Sequence, residues 1–219
     1  MITPIQHYIP VGTLRRSGQK ILGVKFVVAH DTGNPNSTAA GNVGYFIQSA
    51  NELEASAHTF VDDVSVIECI PLTEKAWHVV RNTPIDNQKF GVDANDYAIG
   101  VELCYFPGNL IRTQGAYDNY VDYIKGLCSK YNIDPLKFVV GHYQIDPKRK
   151  TDPMNAFNII NKTWEQFMED LKPIVVVIIP EVIVPEKPPV IVVNPPVITE
   201  NWFIKFIKEI IKKLLRYPS

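Results

Sequence analysis

Two short apolar runs, each ending in a histidine, constrain this chain more than any other feature. The segments KFVVAH and FVVGH are rich in β-branched and aromatic residues and end at His30 and His142. Such runs predict short buried strands, and polar, turn-forming residues follow both of them. We therefore expect both imidazoles at the same edge of one sheet.

A carboxylate lies close enough in sequence to join the second histidine. Asp152 follows His142 by ten positions, beyond a polar loop, and is preceded by Lys150. His and Asp are good zinc ligands, and a catalytic zinc takes three protein groups and keeps one position open. His30, His142 and Asp152 are therefore a candidate metal-binding set. Taken singly, each has an ordinary alternative, because a histidine at a strand end often only makes hydrogen bonds and Asp before Pro often forms a turn or caps a helix.

Five segments in this order resemble one enzyme family: VVAHDTG, SAHTFVDD, AIGVELCY, FVVGHYQ and KTDP. They are similar to segments of the zinc-dependent N-acetylmuramoyl-L-alanine amidases, in the type-2 amidase and peptidoglycan-recognition superfamily, which includes many phage endolysins. The resemblance covers roughly the first 170 residues. It implies an α/β fold with a central mixed β-sheet flanked by helices, zinc as the cofactor and peptidoglycan as the substrate.

The resemblance also implies roles for particular residues. The zinc ligands of the family correspond to His30, His142 and Asp152. Its catalytic carboxylate corresponds to Glu102 and its catalytic lysine to Lys150. The bond cleaved would be the amide between N-acetylmuramic acid and the L-alanine of the stem peptide, with Glu102 transferring the proton of the attacking water and Lys150 stabilising the oxyanion. The alternatives are a strand glutamate paired with a surface cation and a solvated lysine.

Three further residues are candidates for contact with the substrate. His58 begins a predicted strand, at a position where the family often carries a histidine beside the site. Trp77 and His78 correspond to a pair near the substrate groove of relatives, where they could stack on sugar or peptide and donate hydrogen bonds. A buried tryptophan beside a satisfied histidine explains the pair equally well. Ala57 stands where some members have a catalytic tyrosine, which would leave proton transfer to Glu102.

Residue spacing predicts the elements around this site. We expect a helix over residues 36–51 capped by Ser37 or Thr38, a hairpin over residues 56–71 with Val64 in its return strand, a strand over Ile99–Tyr105, a helix over residues 114–131 and a single closing helix over residues 157–171. Residues 81–95 are predicted to form a surface loop.

The composition indicates a folded domain made in a reducing compartment. The chain has 219 residues, of which 46% are hydrophobic, enough for a substantial core. Cys69, Cys104 and Cys128 show no metal-binding spacing and are expected to be buried thiols. The start MITPIQHYIP lacks the pattern of a secretory signal. We therefore expect the protein in the host bacterial cytoplasm until its release to the cell wall.

Beyond residue 171 the pattern changes twice. Residues 172–200 alternate prolines with Val and Ile, which excludes a regular helix and predicts a semi-rigid linker. Residues 201–219 place apolar side chains at helical spacing, and five basic residues against Glu209 give a charge of +4. Such a cationic amphipathic helix suits an anionic membrane surface or an acidic polymer. The alternative is a helix that packs on the domain or on its twin in a dimer.

Together these features predict three parts: a catalytic domain over residues 1–171, the linker and the C-terminal amphipathic helix. The hypothesis for the whole chain is a peptidoglycan amidase, as in a phage or prophage endolysin, with a membrane-active tail and antimicrobial activity. Two alternatives remain: a non-catalytic peptidoglycan-binding module, and a membrane-active protein whose folded domain is a carrier. Nucleic acid is not expected as a partner.

Overall fold

The computed structural model describes residues 2–81, 89–172 and 200–214. The chain divides into two compact units, Met1–Val175 and Val176–Ser219. Most of the predicted linker, residues 173–199, and part of the predicted loop, residues 82–88, lie outside the described residues. Within the described ranges, no helix is both long and apolar enough to cross a membrane.

The first unit is built on one mixed sheet. Its strands are β1 (Ile5–Gln6), β2 (Phe26–Asp31), β3 (Thr59–Val61), β4 (Val66–Glu68), β5 (Ala98–Leu103) and β6 (Val139–Gly141). Their order is β1-β4-β3-β5-β2-β6, and β3 and β4 pair antiparallel whereas the other neighbours are parallel. The central strands β2 and β5 are almost entirely buried, as expected for strands covered on both faces.

Helices flank this sheet, which confirms the predicted fold class. They are α1 (Ala39–Gln48), α2 (Ala94–Tyr97), α3 (Leu110–Tyr131), α4 (Pro135–Phe138), α5 (His142–Ile145), α6 (Met154–Ile159) and α7 (Trp164–Asp170), and the second unit contains α8 (Glu200–Leu214). Helix α3 begins before the predicted start because Asn109 accepts a hydrogen bond from the Arg112 amide and caps it. Its apolar stripe, including Tyr117, Tyr120 and Ile124, is buried against the sheet as predicted.

The predicted closing helix is in fact two helices. Asn161 adopts a left-handed conformation with φ of 54° after α6, and Thr163 then caps α7 in a reciprocal pair with Gln166. Ile160 and Trp164, on either side of the break, pack against the same core cluster. The single-helix prediction was wrong because the apolar spacing continues across the break.

The hairpin of β3 and β4 has a longer turn than the spacing of its apolar residues suggested. The Asp62 carboxylate accepts hydrogen bonds from the amides of Val64 and Ser65, which forms the turn. Val64 lies in this turn, where it is 69% exposed, so the prediction that placed it in the return strand was wrong.

The three cysteines are free and buried, as predicted.

The two faces of the sheet differ at its carboxyl edge. On one face, the alternate residues Val27 and Ala29 of β2 join the large apolar cluster that includes α3. On the other face, Phe26 and Val28 are followed by His30, so this face changes from apolar to polar along the strand. The polar edge is where the candidate site lies.

Candidate metal centre

Three adjacent strands carry the main candidate residues to one edge of the sheet. His30 of β2 lies directly opposite Glu102 of β5 in the parallel register. On the other side of β2, Ala29 lies opposite Gly141, the last residue of β6, and His142 follows at once. The carboxyl ends of parallel strands point the same way, so the two imidazoles and the glutamate share this edge.

His30, His142 and Asp152 converge on one point. The Oδ2 atom of Asp152 lies 2.9 Å from Nδ1 of His30 and 3.0 Å from Nδ1 of His142. One ligand atom from each residue falls within 4.8 Å of the others, and the residues are only 2%, 1% and 8% exposed. Two imidazoles and a carboxylate are a donor set that suits a transition metal such as zinc. The residues therefore fit a metal ion, and that role stays a prediction.

Local structure explains how Asp152 returns to His142. The chain forms the single turn α5 at His142 instead of the loop we expected, and the amides of Arg149 and Lys150 then donate to the Asp146 carbonyl. The Tyr143 amide donates to the Asp152 carbonyl at 3.1 Å, which ties the returning segment to the start of α5.

The electrostatics of this group favour the protonation states that metal ligands need. Burial, together with the neighbouring His142, lowers the pKa of His30 to about 4. Burial alone would raise the pKa of Asp152, but its hydrogen bonds with His142 and His30 outweigh burial and bring the pKa below its ordinary value. A neutral imidazole at His30 and an ionised carboxylate at Asp152 are therefore expected near neutral pH, and both are competent ligands.

Glu102 sits beside the three residues in an unusual environment. Its side chain is partly buried, yet its Oε2 atom is enclosed and has no hydrogen-bond partner in the described part of the chain. Burial and the nearby negative charge of Asp152 raise the pKa of its carboxyl group well above the ordinary value. A carboxyl group with a raised pKa, one strand away from His30, suits a group that accepts and returns a proton.

A pocket of about 320 Å³ opens beside the metal-binding group. Its walls include Lys150, His142, Trp77 and His78. The cavity thus brings together one predicted metal ligand, the predicted catalytic lysine and two residues predicted to contact the substrate. Glu102 is not among its lining residues. Sequence reasoning missed Asn95, whose buried side chain also lines the pocket and accepts hydrogen bonds from the amides of His78 and Val79.

His58 and His78, both predicted to contact substrate, occupy different positions. The His58 side chain is fully buried, its Nδ1 accepts from the Gly100 amide and its Nε2 donates to the Glu74 carbonyl, both at 3.0 Å. The structure therefore does not bring His58 to the pocket, and its geometry favours a structural role. His78 does line the pocket, and its Nδ1 lies 3.0 Å from Nε2 of His30. No spacing in the sequence signals that contact.

A sheet edge with two imidazoles, a carboxylate and a partly buried glutamate beside a pocket is the kind of site that metal-dependent hydrolases use. Comparison with known families is more specific, because the family model described as N-acetylmuramoyl-L-alanine amidase matches residues 19–155. The chain belongs to this family, which confirms the resemblance seen in the sequence.

Individual relatives agree with this assignment. The N-acetylmuramoyl-L-alanine amidase BlyA of Bacillus subtilis (strain 168) is 36% identical over 154 residues, which cover 67% of this chain and 41% of BlyA. The match thus spans less than half of that relative. Among solved structures, the catalytic domain of XlyA has a TM-score of 0.62 and 26% identity, over 78% of this chain and 100% of that domain. A mutant endolysin from Bacillus subtilis has a TM-score of 0.62 and 27% identity, again over 78% of this chain and 100% of its own.

Proposed function

We propose that this protein is a zinc-dependent N-acetylmuramoyl-L-alanine amidase, which hydrolyses the amide between N-acetylmuramic acid and L-alanine in peptidoglycan. The observation that carries the proposal is the convergence of His30, His142 and Asp152, with ligand atoms within 4.8 Å of one another. Membership of the amidase family supports the same reaction and substrate.

The residues of the site have complementary tasks in this reaction. His30, His142 and Asp152 would hold the zinc ion, which when bound lowers the pKa of water to about 7 and polarises the substrate carbonyl. Glu102, with its raised carboxyl pKa, accepts the proton of the attacking water and delivers it to the departing amine. Lys150 lines the adjacent pocket, where its ammonium group stabilises the negative charge that develops on the carbonyl oxygen.

Metal removal gives the most direct test of this function. We expect the zinc-loaded protein to release new N-terminal alanine from purified cell walls, and a chelator to abolish the release. Restoring zinc should restore it. Amino termini are measured with an amine-reactive probe and identified by mass spectrometry of the released peptides. No release by the zinc-loaded protein would contradict the amidase and favour a non-catalytic peptidoglycan-binding module.

We further propose that this protein is a phage or prophage endolysin and that its C-terminal helix binds anionic membrane surfaces. The similarity to a solved endolysin supports the first part. The second part rests on α8, where Phe206, Ile207, Ile210 and Ile211 recur at helical spacing and are exposed. Four lysines occupy other positions of the same helix: Lys205, Lys208, Lys212 and Lys213. An apolar stripe beside a basic one lets a helix lie in the interface of an anionic bilayer.

Removing charge from this helix is expected to weaken membrane binding. Each lysine near an anionic surface contributes about 1 kcal/mol, so Lys208→Gln with Lys212→Gln should weaken binding about 30-fold. Cosedimentation of the full chain with vesicles rich in phosphatidylglycerol measures the effect, and neutral phosphatidylcholine vesicles should bind little of either protein.

A matched control removes the same charge from the first unit. Lys130 and Lys137 are exposed there, and their replacement by Gln should leave vesicle binding unchanged. Equal losses in the two double variants would mean that general charge, and not α8, attracts the membrane. If α8 serves only dimerisation, the Lys208→Gln and Lys212→Gln changes should alter the sedimentation of the protein without vesicles. Neither the wild type nor the variant should then bind vesicles.

A further inference from the structure

The two candidate ligand histidines differ in what lies behind their rings. His30 has both ring nitrogens engaged, with Nδ1 at 2.9 Å from Asp152 Oδ2 and Nε2 at 3.0 Å from Nδ1 of His78. His142 presents Nδ1 to Asp152 in the same way, but its buried Nε2 has no partner within the described ranges. His78 is therefore a partner specific to one ligand.

The backbone of His78 is held firmly by Asn95. The amides of His78 and Val79 both donate to Oδ1 of Asn95, at 3.0 and 3.1 Å, and Nδ2 of Asn95 donates back to the Val79 carbonyl. Asn95 is itself buried at the start of α2. The ring of His78 meets that of His30 edge to face, with centroids 5.2 Å apart. Three hydrogen bonds thus fix the backbone from which the imidazole projects.

The sheet beneath His78 is shaped to receive this ring. Gly100 of β5 lies on the same face as Glu102, two residues earlier. A Cβ atom at Gly100 would approach Cγ of His78 to 2.5 Å, far inside contact distance. The glycine is therefore needed for close approach and not for a turn. His58 accepts the hydrogen bond of the Gly100 amide, which anchors this part of β5.

The direction of these hydrogen bonds follows from the chemistry of a ligand imidazole. When Nδ1 of His30 binds a cation, the ring proton must be on Nε2. That N–H then donates to Nδ1 of His78, which can accept it when the His78 ring carries its own proton on Nε2. Partners of this kind fix the tautomer and orientation of ligand histidines.

We propose that His78 is a positioning residue for the metal site. Its Nδ1 accepts the Nε2–H of His30 and holds that ring with Nδ1 directed towards Asp152, where a metal ion would bind, while Gly100 leaves the room that the His78 ring occupies. This role differs from the substrate contact expected from the sequence, and it rests on the proposed zinc site of His30, His142 and Asp152.

Zinc affinity of full-length variants tests the proposal. His78→Phe keeps a ring but removes the acceptor, and should weaken zinc binding about 10- to 100-fold in competition with a chromogenic chelator. His78→Asn places an amide oxygen near the position of Nδ1, and should keep the affinity within about threefold of wild type. Rescue by Asn but not by Phe separates the hydrogen bond from packing. Unfolding of the zinc-free variants, followed by circular dichroism, reports any general loss of stability.

A second measurement uses the wild-type protein and does not depend on the folding of any variant. Long-range ¹H–¹⁵N spectra of the histidine rings in the zinc-loaded protein should show a proton on Nε2 of His30 that exchanges slowly. A rapidly exchanging proton, wild-type zinc affinity in His78→Phe, or equal losses in the Asn and Phe variants would overturn the positioning role. Failure of the wild-type protein to bind zinc would overturn the proposed metal site as well, so the two failures are distinguishable.

Discussion

His142→Ala is expected to abolish stoichiometric zinc binding and to lower the release of amino termini from cell walls by about 10³-fold or more. That factor corresponds to about 4 kcal/mol of lost transition-state stabilisation, the scale that a Lewis-acid metal contributes. His142 is one of the three residues in the candidate metal-binding set, and its Nδ1 lies 3.0 Å from Oδ2 of Asp152. Two remaining ligands would leave zinc weakly held, and no nearby described side chain completes the set.

Zinc content after dialysis and wall hydrolysis under identical conditions measure this effect. The matched control is His7→Ala, because His7 is an exposed histidine outside the site and should change neither quantity. Circular dichroism shows whether the variant keeps its fold, which has to be checked because His142 is itself buried at the end of β6. A variant that retains one zinc per chain and full hydrolysis would refute the assignment of His142 as a ligand.

The positions of the two histidines could be predicted because strand ends are local features. The apolar runs before His30 and His142 are visible in the sequence, and parallel strands bring such ends to one edge. The expectation of a mixed sheet and the predicted roles of Glu102 and Lys150 came from the family resemblance and not from periodicity. A glutamate within an apolar strand is by itself compatible with an ion pair at a surface.

Contacts that depend on how separate segments pack could not be predicted in this way. His78 reaches His30 across 48 positions of sequence, because Asn95 fixes its backbone and Gly100 leaves space for its ring. None of these three residues has a pattern that indicates the others. The break at Asn161 was missed for a related reason, since apolar spacing reports which face is buried and not whether the helix is continuous.

Glu102→Gln is the second change with a large expected effect. Glutamine has nearly the same shape but cannot take up a proton, so the turnover rate should fall by about 10²- to 10⁴-fold. Zinc content should stay at the wild-type level, because Glu102 is not one of the three residues that converge on the metal-binding position. Loss of turnover with zinc retained distinguishes this variant from His142→Ala. The exposed Glu52 provides a matched control, and Glu52→Gln should have full activity.

The same substitution should stabilise the zinc-free protein at neutral pH. Burial raises the pKa of Glu102 in the folded chain well above 4.5, so the folded state holds this proton more tightly than the unfolded state. This bound proton therefore makes its full contribution to the free energy of unfolding below about pH 4.5. The contribution is lost as the pH rises towards the folded-state pKa. Glutamine has no such proton to lose, so its free energy of unfolding does not show this decrease.

Urea unfolding of the chelator-treated proteins measures the difference. The free energy of unfolding of Glu102→Gln should exceed that of the wild type by a small amount at pH 4 and by a larger amount at pH 7. An advantage that is the same at both pH values would mean that the pKa of Glu102 is not raised in the folded chain, and would remove the electrostatic support for its role as the proton carrier.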